Sequence, residues 1–549
     1  MLVDHELKAP PVRATAASRF QKTMLASSAA RSVGAFVLLL TLIVCLQLAS
    51  GAYHAEFGGY PDEPAHYITS LMVRDYVAGF NWSSPLQFAR EYYHHYPKVA
   101  FGHWPPFFYV VQAIWMLVFS ASRSSVRLEV AFTTALLAYS VYLECRRWFS
   151  GSLSPMLAAI LTVCIPMVQT YTDEEMSEIL LTLLCFWAAV FFARYLEFKR
   201  WQDNMLFGLF FSFTVLTKGN GWLLAGIVPV ALLLTRKMRL MRSWSFWIAP
   251  AIVAVLCLPW QLLTLRMAEE GWAGGSQPSM QYTLTAIEQF GAILLNAAGL
   301  VLGVLALLGI VVIVIAPAIR HTIKAAPASM FALIVSTWIF HAIVPAGIED
   351  RKMLIAVPAL VLFVFAGGYW LANRLPLGYK LGGWRTYLVA TAAALAFGLG
   401  TFLIPRQIHY GYEDVARFVT ARPDLSKETI LVSDNSVGEG LLISEIAMRE
   451  HRPSNIILRG TKALADVDWN ATHYQSLYST PQQVTEAIDR LHVNLVVVDT
   501  FEGTQRLEHN DLLRQALQDR QQFQLLRTFE GQSRYGPGQI MVYQVRHSA

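Results

Sequence analysis

The chain has 549 residues, 55% of them hydrophobic and only 15% charged, with a mean hydropathy of +0.41. That much apolar surface excludes an ordinary soluble globular protein, and many runs reach the roughly 18–20 residues a helix needs to cross a bilayer. The formal net charge of +5, from 43 Lys+Arg against 38 Asp+Glu, is small and gives no reason to expect a nucleic-acid partner. Five cysteines, Cys45, Cys145, Cys164, Cys185 and Cys257, all lie in or beside apolar runs. They form neither a disulfide framework nor a paired zinc spacing.

Residues 1–31 are polar and carry Lys8, Arg13, Arg19, Lys22 and Arg31, which the positive-inside rule assigns to the cytoplasm. The first apolar run, 33–50, starts late and lacks a small-residue cleavage site after it, so it reads as a signal anchor. A transmembrane domain is expected over 32–404, with a long aromatic-rich first outer loop at 52–125. The run at 105–120 opens on Pro105-Pro106 and is followed by Arg123 and Arg127, the pattern of a helix lying along the membrane face. If it does not cross, basic residues sort to one side. Inner loops then hold Arg146-Arg147, Arg194 to Arg200, Arg236 to Arg242, Arg320 to Lys324 and Arg374 to Arg385. Outer loops hold Tyr171 to Glu175, Thr217 to Gly221, 266–287 and Gly347 to Lys352. This gives about eleven crossings with the C-terminus outside.

Residues 405–549 have soluble composition. Apolar strands at 429–434, 454–459, 493–499, 523–529 and 539–545 alternate with helical patterns at 437–450, 481–491 and 509–520. That alternation predicts an extracytoplasmic α/β layer domain. The fold class is therefore a multi-pass α-helical membrane protein with a C-terminal α/β domain.

Chemistry-bearing residues gather in the outer loops. Asp62 and Glu63, in Tyr60-Pro61-Asp62-Glu63-Pro64, are a carboxylate pair at a membrane face and candidates for catalytic acid–base work. A helix N-terminus, with Pro64 in its first turn, accounts for them equally well. Asp173, in Tyr171-Thr172-Asp173-Glu174-Glu175, is a second candidate from an outer loop. Lys98, His103, Lys218 and Arg351 supply cationic groups suited to a phosphate. Lys218 sits against the positive-inside trend and beside Gly219 and Gly221, which permit close backbone approach. His103 with Asp62 is a candidate pair of ligands for a divalent metal. Tyr92-Tyr93-His94-His95-Tyr96 reads as an interfacial aromatic belt.

The arrangement resembles the polyprenol-phosphate-dependent glycosyltransferases of the GT-C superfamily, in the branch of protein O-mannosyltransferases, aminoarabinose transferases and Rgt-like enzymes. The likeness covers about residues 33–372 and rests on the order of several pieces. These are Asp62-Glu63, Pro105-Pro106, Arg127, Arg146-Arg147-Trp148-Phe149, Asp173, Gly208 through Thr217-Lys218-Gly219, and Asp350-Arg351-Lys352 running to Pro358. The resemblance implies inverting transfer of a sugar from a polyprenyl-phosphate donor at the outer face of the membrane; the short loops and the absence of cysteine outside the apolar runs fit a bacterial inner membrane. In it Asp62 looks like the general base, Asp173 like a second-loop acid, and Lys218 and Arg351 like phosphate or acceptor contacts. The acceptor is a lipid, a polysaccharide or a protein. Aminoarabinose transferases usually place Lys before the double proline; here Trp104 stands there, preceded by His103, so an aminoarabinose substrate is not implied. A transporter and an inactive scaffold of the same fold are the alternatives. A transporter would place its ionisable groups near the bilayer midplane rather than in outer loops.

Overall fold

Proline and glycine divide the apolar runs into separate helices in the computed structural model, which describes residues 16–79, 84–100, 102–149, 154–271, 278–374, 406–450, 453–467, 473–502 and 507–547. Among the described residues seven helices are long and apolar enough to cross a membrane: Ala30–Ser50, Arg123–Trp148, Glu178–Phe198, Trp244–Leu265, Gly299–Ile319, Ala325–Ile343 and Asp350–Arg374. A bent pair, Ser154–Cys164 and Pro166–Asp173, meeting at 63°, is together long and apolar enough for one more span. Pro166 has no N–H to continue the first helix, so it opens the second instead. Trp201–Thr217 and Gly219–Thr235 are shorter apolar segments at two further expected crossings. The last of the eleven, between Arg385 and residue 405, lies outside the described residues.

Van der Waals packing rather than water exclusion holds such helices together, and small residues let their backbones approach. Gly309 and Gly367 do this for the Met280–Ile310 and Val357–Arg374 helices. A Cβ at either glycine would fall 2.0 Å from a carbonyl oxygen of the facing helix.

Phe107–Val118 has twelve residues and is about 18 Å long, too short for a hydrocarbon core of about 30 Å. The expected juxtamembrane helix is therefore present. The remainder of the first loop is more ordered than its sequence suggested, with helices at Glu63–Ala78 and Pro85–His95.

The C-terminal region builds seven strands: β1 (Thr429–Ser433), β2 (Ile456–Arg459), β3 (Ala465–Val467), β4 (Tyr474–Ser476), β5 (Leu495–Asp499), β6 (Phe523–Ser533) and β7 (Gly536–Val545). Five form one sheet in the order β2-β1-β5-β7-β6. β1 pairs parallel with β2 and β5, and β7 pairs antiparallel with β5 and β6. Every residue of β5 is buried, as expected of a central strand covered on both faces. Helices Ser436–Arg449, Pro481–Arg490 and Glu508–Ala516 lie where the sequence predicts them.

This sheet domain and the first loop share one core. Phe57, Tyr67, Ile68 and Leu71 of the loop join Val415, Val432, Leu442 and Ile446 in a single buried cluster. Arg123 spans the junction, with Nη2 2.9 Å from Glu413 and 2.8 Å from Glu445. The aromatic belt expectation is corrected here. His95 Nδ1 meets the Asn455 carbonyl at 2.9 Å, and the Tyr96 hydroxyl donates to Glu450. These side chains dock the C-terminal domain rather than line a lipid interface.

Candidate active site

Pro64 fixes the first turn of the Glu63–Ala78 helix, and Asp62 stands at its N-cap. The Asp62 carboxylate makes no capping hydrogen bond, is 19% exposed, and lies 3.3 Å from Arg351 Nη1. Glu63, one residue on, points into protein. It is fully buried and pairs with Arg127 at 2.8 Å. Its Oε1 accepts from the Tyr60 amide at 3.0 Å and its Oε2 from the Glu175 amide at 2.8 Å. Neighbouring residues on a helix start diverge by about 100°, so one carboxylate faces the cleft and the other anchors both loops.

Two of the expected cations converge on Asp62 through a residue not singled out in the sequence. Glu178, at the start of its helix, pairs with Lys218 and lies 3.5 Å from Arg351. Arg351 Nε meets Glu349 at 2.5 Å, and its guanidinium lies over the Tyr60 ring at 4.5 Å. The Tyr60 hydroxyl donates to Glu349 at 2.8 Å. Lys218 and Arg351 are thus shared among Asp62, Glu178 and Glu349.

The other predicted residues fall around this cluster. His103 packs edge-on to Trp104 at 4.7 Å, and burial, aided by the Lys218 charge, pushes its ring down to about 4. Asp173 is 3% exposed, with Arg127 and Glu63 as its charged neighbours. Lys98 is buried where the C-terminal domain docks, its ammonium donating to the Ser436 carbonyl at 3.0 Å. Burial pushes Lys98 down to about 7. Beside it Gly440 packs so closely on Pro64 that a Cβ there would lie 2.9 Å from the proline ring. Among the described residues no group of three or more His, Cys, Asp or Glu is placed to hold an ion.

Sequence reasoning also passed over His66, four residues after Asp62. Its ring stacks on Trp104 at 4.3 Å, and burial, then the Lys218 charge, holds it down to about 3. The i, i+4 spacing from Asp62 was the available signal.

An apolar cavity of about 460 Å³ opens among the helices Trp201–Thr217, Gly219–Thr235 and Trp244–Leu265. Phe207, Phe211, Trp222, Val228, Ala249 and Leu258 contribute to its wall.

Residues 103–262 match the family model described as dolichyl-phosphate-mannose-protein mannosyltransferase. No curated protein sequence matches the chain. Among solved structures, ArnT from Cupriavidus metallidurans bound to undecaprenyl phosphate aligns over 92% of this chain and 97% of its own, at 13% identity and TM-score 0.55. The same protein in the apo state aligns over 93% and 98%, again at 13% and 0.55. The archaeal oligosaccharyltransferase AglB from Archaeoglobus fulgidus, in complex with an inhibitory peptide and a dolichol-phosphate, aligns over 84% and 69% at 14% identity and TM-score 0.49. The chain therefore shares the fold of ArnT, and within it residues 103–262 match the mannosyltransferase family model.

Proposed function

We propose that the protein is an inverting glycosyltransferase of the inner membrane, moving a sugar from a polyprenyl-phosphate donor to an acceptor at the outer face. The observation that carries this reading is the pairing of an accessible Asp62 with Arg351, which in turn shares Glu178 with Lys218. An inverting transfer needs one base to take the acceptor's proton as it attacks the anomeric carbon, and Asp62 fills that role. The leaving group is a phosphate, which Arg351 and Lys218 stabilise as its charge develops. In the resting site Arg351 engages Asp62. A phosphate drawn to Arg351 takes over the guanidinium and leaves the carboxylate to accept a proton. Glu63 positions this machinery through Arg127 and the Glu175 amide rather than joining the chemistry. The apolar cavity among the helices Trp201–Thr217, Gly219–Thr235 and Trp244–Leu265 suits the prenyl chain. The fold held in common with a protein bound to undecaprenyl phosphate supports the choice of lipid.

The test is sugar transfer by the purified protein in liposomes, with a panel of polyprenyl-phosphate sugars and with Asp62→Asn beside the wild type. Loss of a positioned base lowers turnover by roughly 10²–10⁴-fold, with the melting temperature unchanged. Equal turnover in both proteins would remove Asp62 from the mechanism.

A further inference from the structure

His66 is held in a way that its packing alone does not explain. The residue is 1% exposed, and its amide donates to the Asp62 carbonyl at 2.9 Å, which fixes it one turn behind the proposed base. Trp104 stacks on one face of the ring at 4.3 Å, and Phe108 meets it edge-on at 5.4 Å. Nδ1 lies 3.1 Å from the Tyr109 hydroxyl. Nε2 is buried and has no hydrogen-bond partner among the described residues.

A buried polar atom left without a partner is costly and is rarely retained without a use. The surroundings indicate what that use is. Lys218, Glu178 and Arg351, which form the charged cluster with Asp62, and His103 are the groups whose charges act on the ring. With the Tyr109 hydroxyl as donor to Nδ1, one of the two roles their 3.1 Å contact allows, the neutral ring carries its proton on Nε2. The ring planes are clamped by aromatic neighbours, so the N–H direction is set before any ligand arrives.

We propose that His66 is a substrate-binding residue whose Nε2–H donates to a phosphate oxygen of the lipid-linked donor, beside Lys218 and Arg351. This rests on the polyprenyl-phosphate reading above. The interaction is a neutral donor on an anion, so it adds direction without adding charge to a site already crowded with ions.

The experiment titrates the full-length protein in detergent with a sugar-free polyprenyl phosphate, comparing wild type with His66→Ala, His66→Gln and His66→Asn. A glutamine places its amide N–H near Nε2, whereas an asparagine places it near Nδ1. Affinity is expected to fall about tenfold or more in His66→Ala and His66→Asn, and to stay within about threefold of wild type in His66→Gln. Melting temperatures are read on every variant. If His66→Ala does not fold, the Gln–Asn contrast still decides the matter, because a purely structural histidine would give no preference for glutamine in binding. Equal affinities across the variants would overturn the proposal. Unchanged phosphate binding with impaired sugar transfer would overturn it too, by moving the contact to the sugar. A wild type that transfers sugar but does not bind the polyprenyl phosphate would overturn the donor reading itself.

Discussion

Asp62 and Glu63 are adjacent, identically charged, and placed in opposite environments. Asp62 stays 19% exposed and engages Arg351 at 3.3 Å, while Glu63 is fully buried against Arg127. The sequence marked both as candidates because paired carboxylates at a membrane face are costly to hold there, and Pro64 made the helix start legible, but the direction of each side chain depends on what packs beyond the helix. Lys218 and Arg351 were legible for a different reason, since cations on the wrong side of a membrane protein are conspicuous. Glu178 and His66 were not, because each looks like an ordinary residue of a helix and gains its partners only in three dimensions. A buried pair broken on one side leaves an uncompensated charge and costs about 3–5 kcal/mol. Glu63→Gln is therefore expected to lower the melting temperature markedly, with Arg127 stranded. Pairing it with Arg127→Met should recover much of the loss, whatever happens to turnover. Thermal unfolding of the single and double variants checks this, and a double variant no more stable than Glu63→Gln alone would show that the pair is not what anchors the loop.

At the scale of elements, the C-terminal strands of the five-stranded sheet were readable as apolar runs between polar turns, and the observed ones fall on them, whereas the short pair β3 and β4 was not anticipated. Of the first-loop helices only the start at Pro64 was readable; the extent of Glu63–Ala78 and the whole of Pro85–His95 were not. Tyr67, Ile68 and Leu71 resemble membrane-interface residues until the helix that buries them is known. The junction they help form contains Glu56, whose Oε1 accepts from the Gly411 amide at 2.9 Å and the Glu413 amide at 2.6 Å. Its Oε2 is buried without a hydrogen-bond partner among the described residues. Burial, with Glu445 adding to it, pushes this acid from 4.5 up to about 8. The folded state thus keeps a proton that the unfolded chain has already released. Its contribution is fully present below about pH 4.5 and is lost as pH rises through about 8. Glu56→Gln, which stays neutral, should lack this component. In paired thermal scans from pH 5 to 8 the wild type is expected to lose stability relative to the variant as pH rises. Parallel curves would mean that Glu56 is ionised in the fold.

For the whole molecule, the division into a membrane domain and a soluble domain at about residue 405 follows composition but not packing. Composition changes where lipid gives way to water, whereas the buried core runs across that boundary from Tyr67 and Leu71 to Leu442 and Ile446. Polar ties reinforce the junction: Arg123 with Glu413 and Glu445, Lys98 with the Ser436 carbonyl, and Tyr96 with Glu450. Gly440 sits directly against Pro64, so the Ser436–Arg449 helix braces the turn that presents Asp62. Removing residues 405–549 would expose the apolar face of the Glu63–Ala78 helix and leave Arg123 without its two carboxylates. Burying an unpaired charge and exposing that much apolar surface both oppose folding. The truncated chain, residues 1–404, is accordingly expected to leave detergent extracts as aggregate, or to melt well below the full chain, and to transfer no sugar. Asp62→Asn in the full chain should lose transfer while keeping the melting temperature and a monodisperse size-exclusion profile. A truncated chain that remains monodisperse with an unchanged melting temperature would establish that the C-terminal domain is an independent module and not a wall of the site.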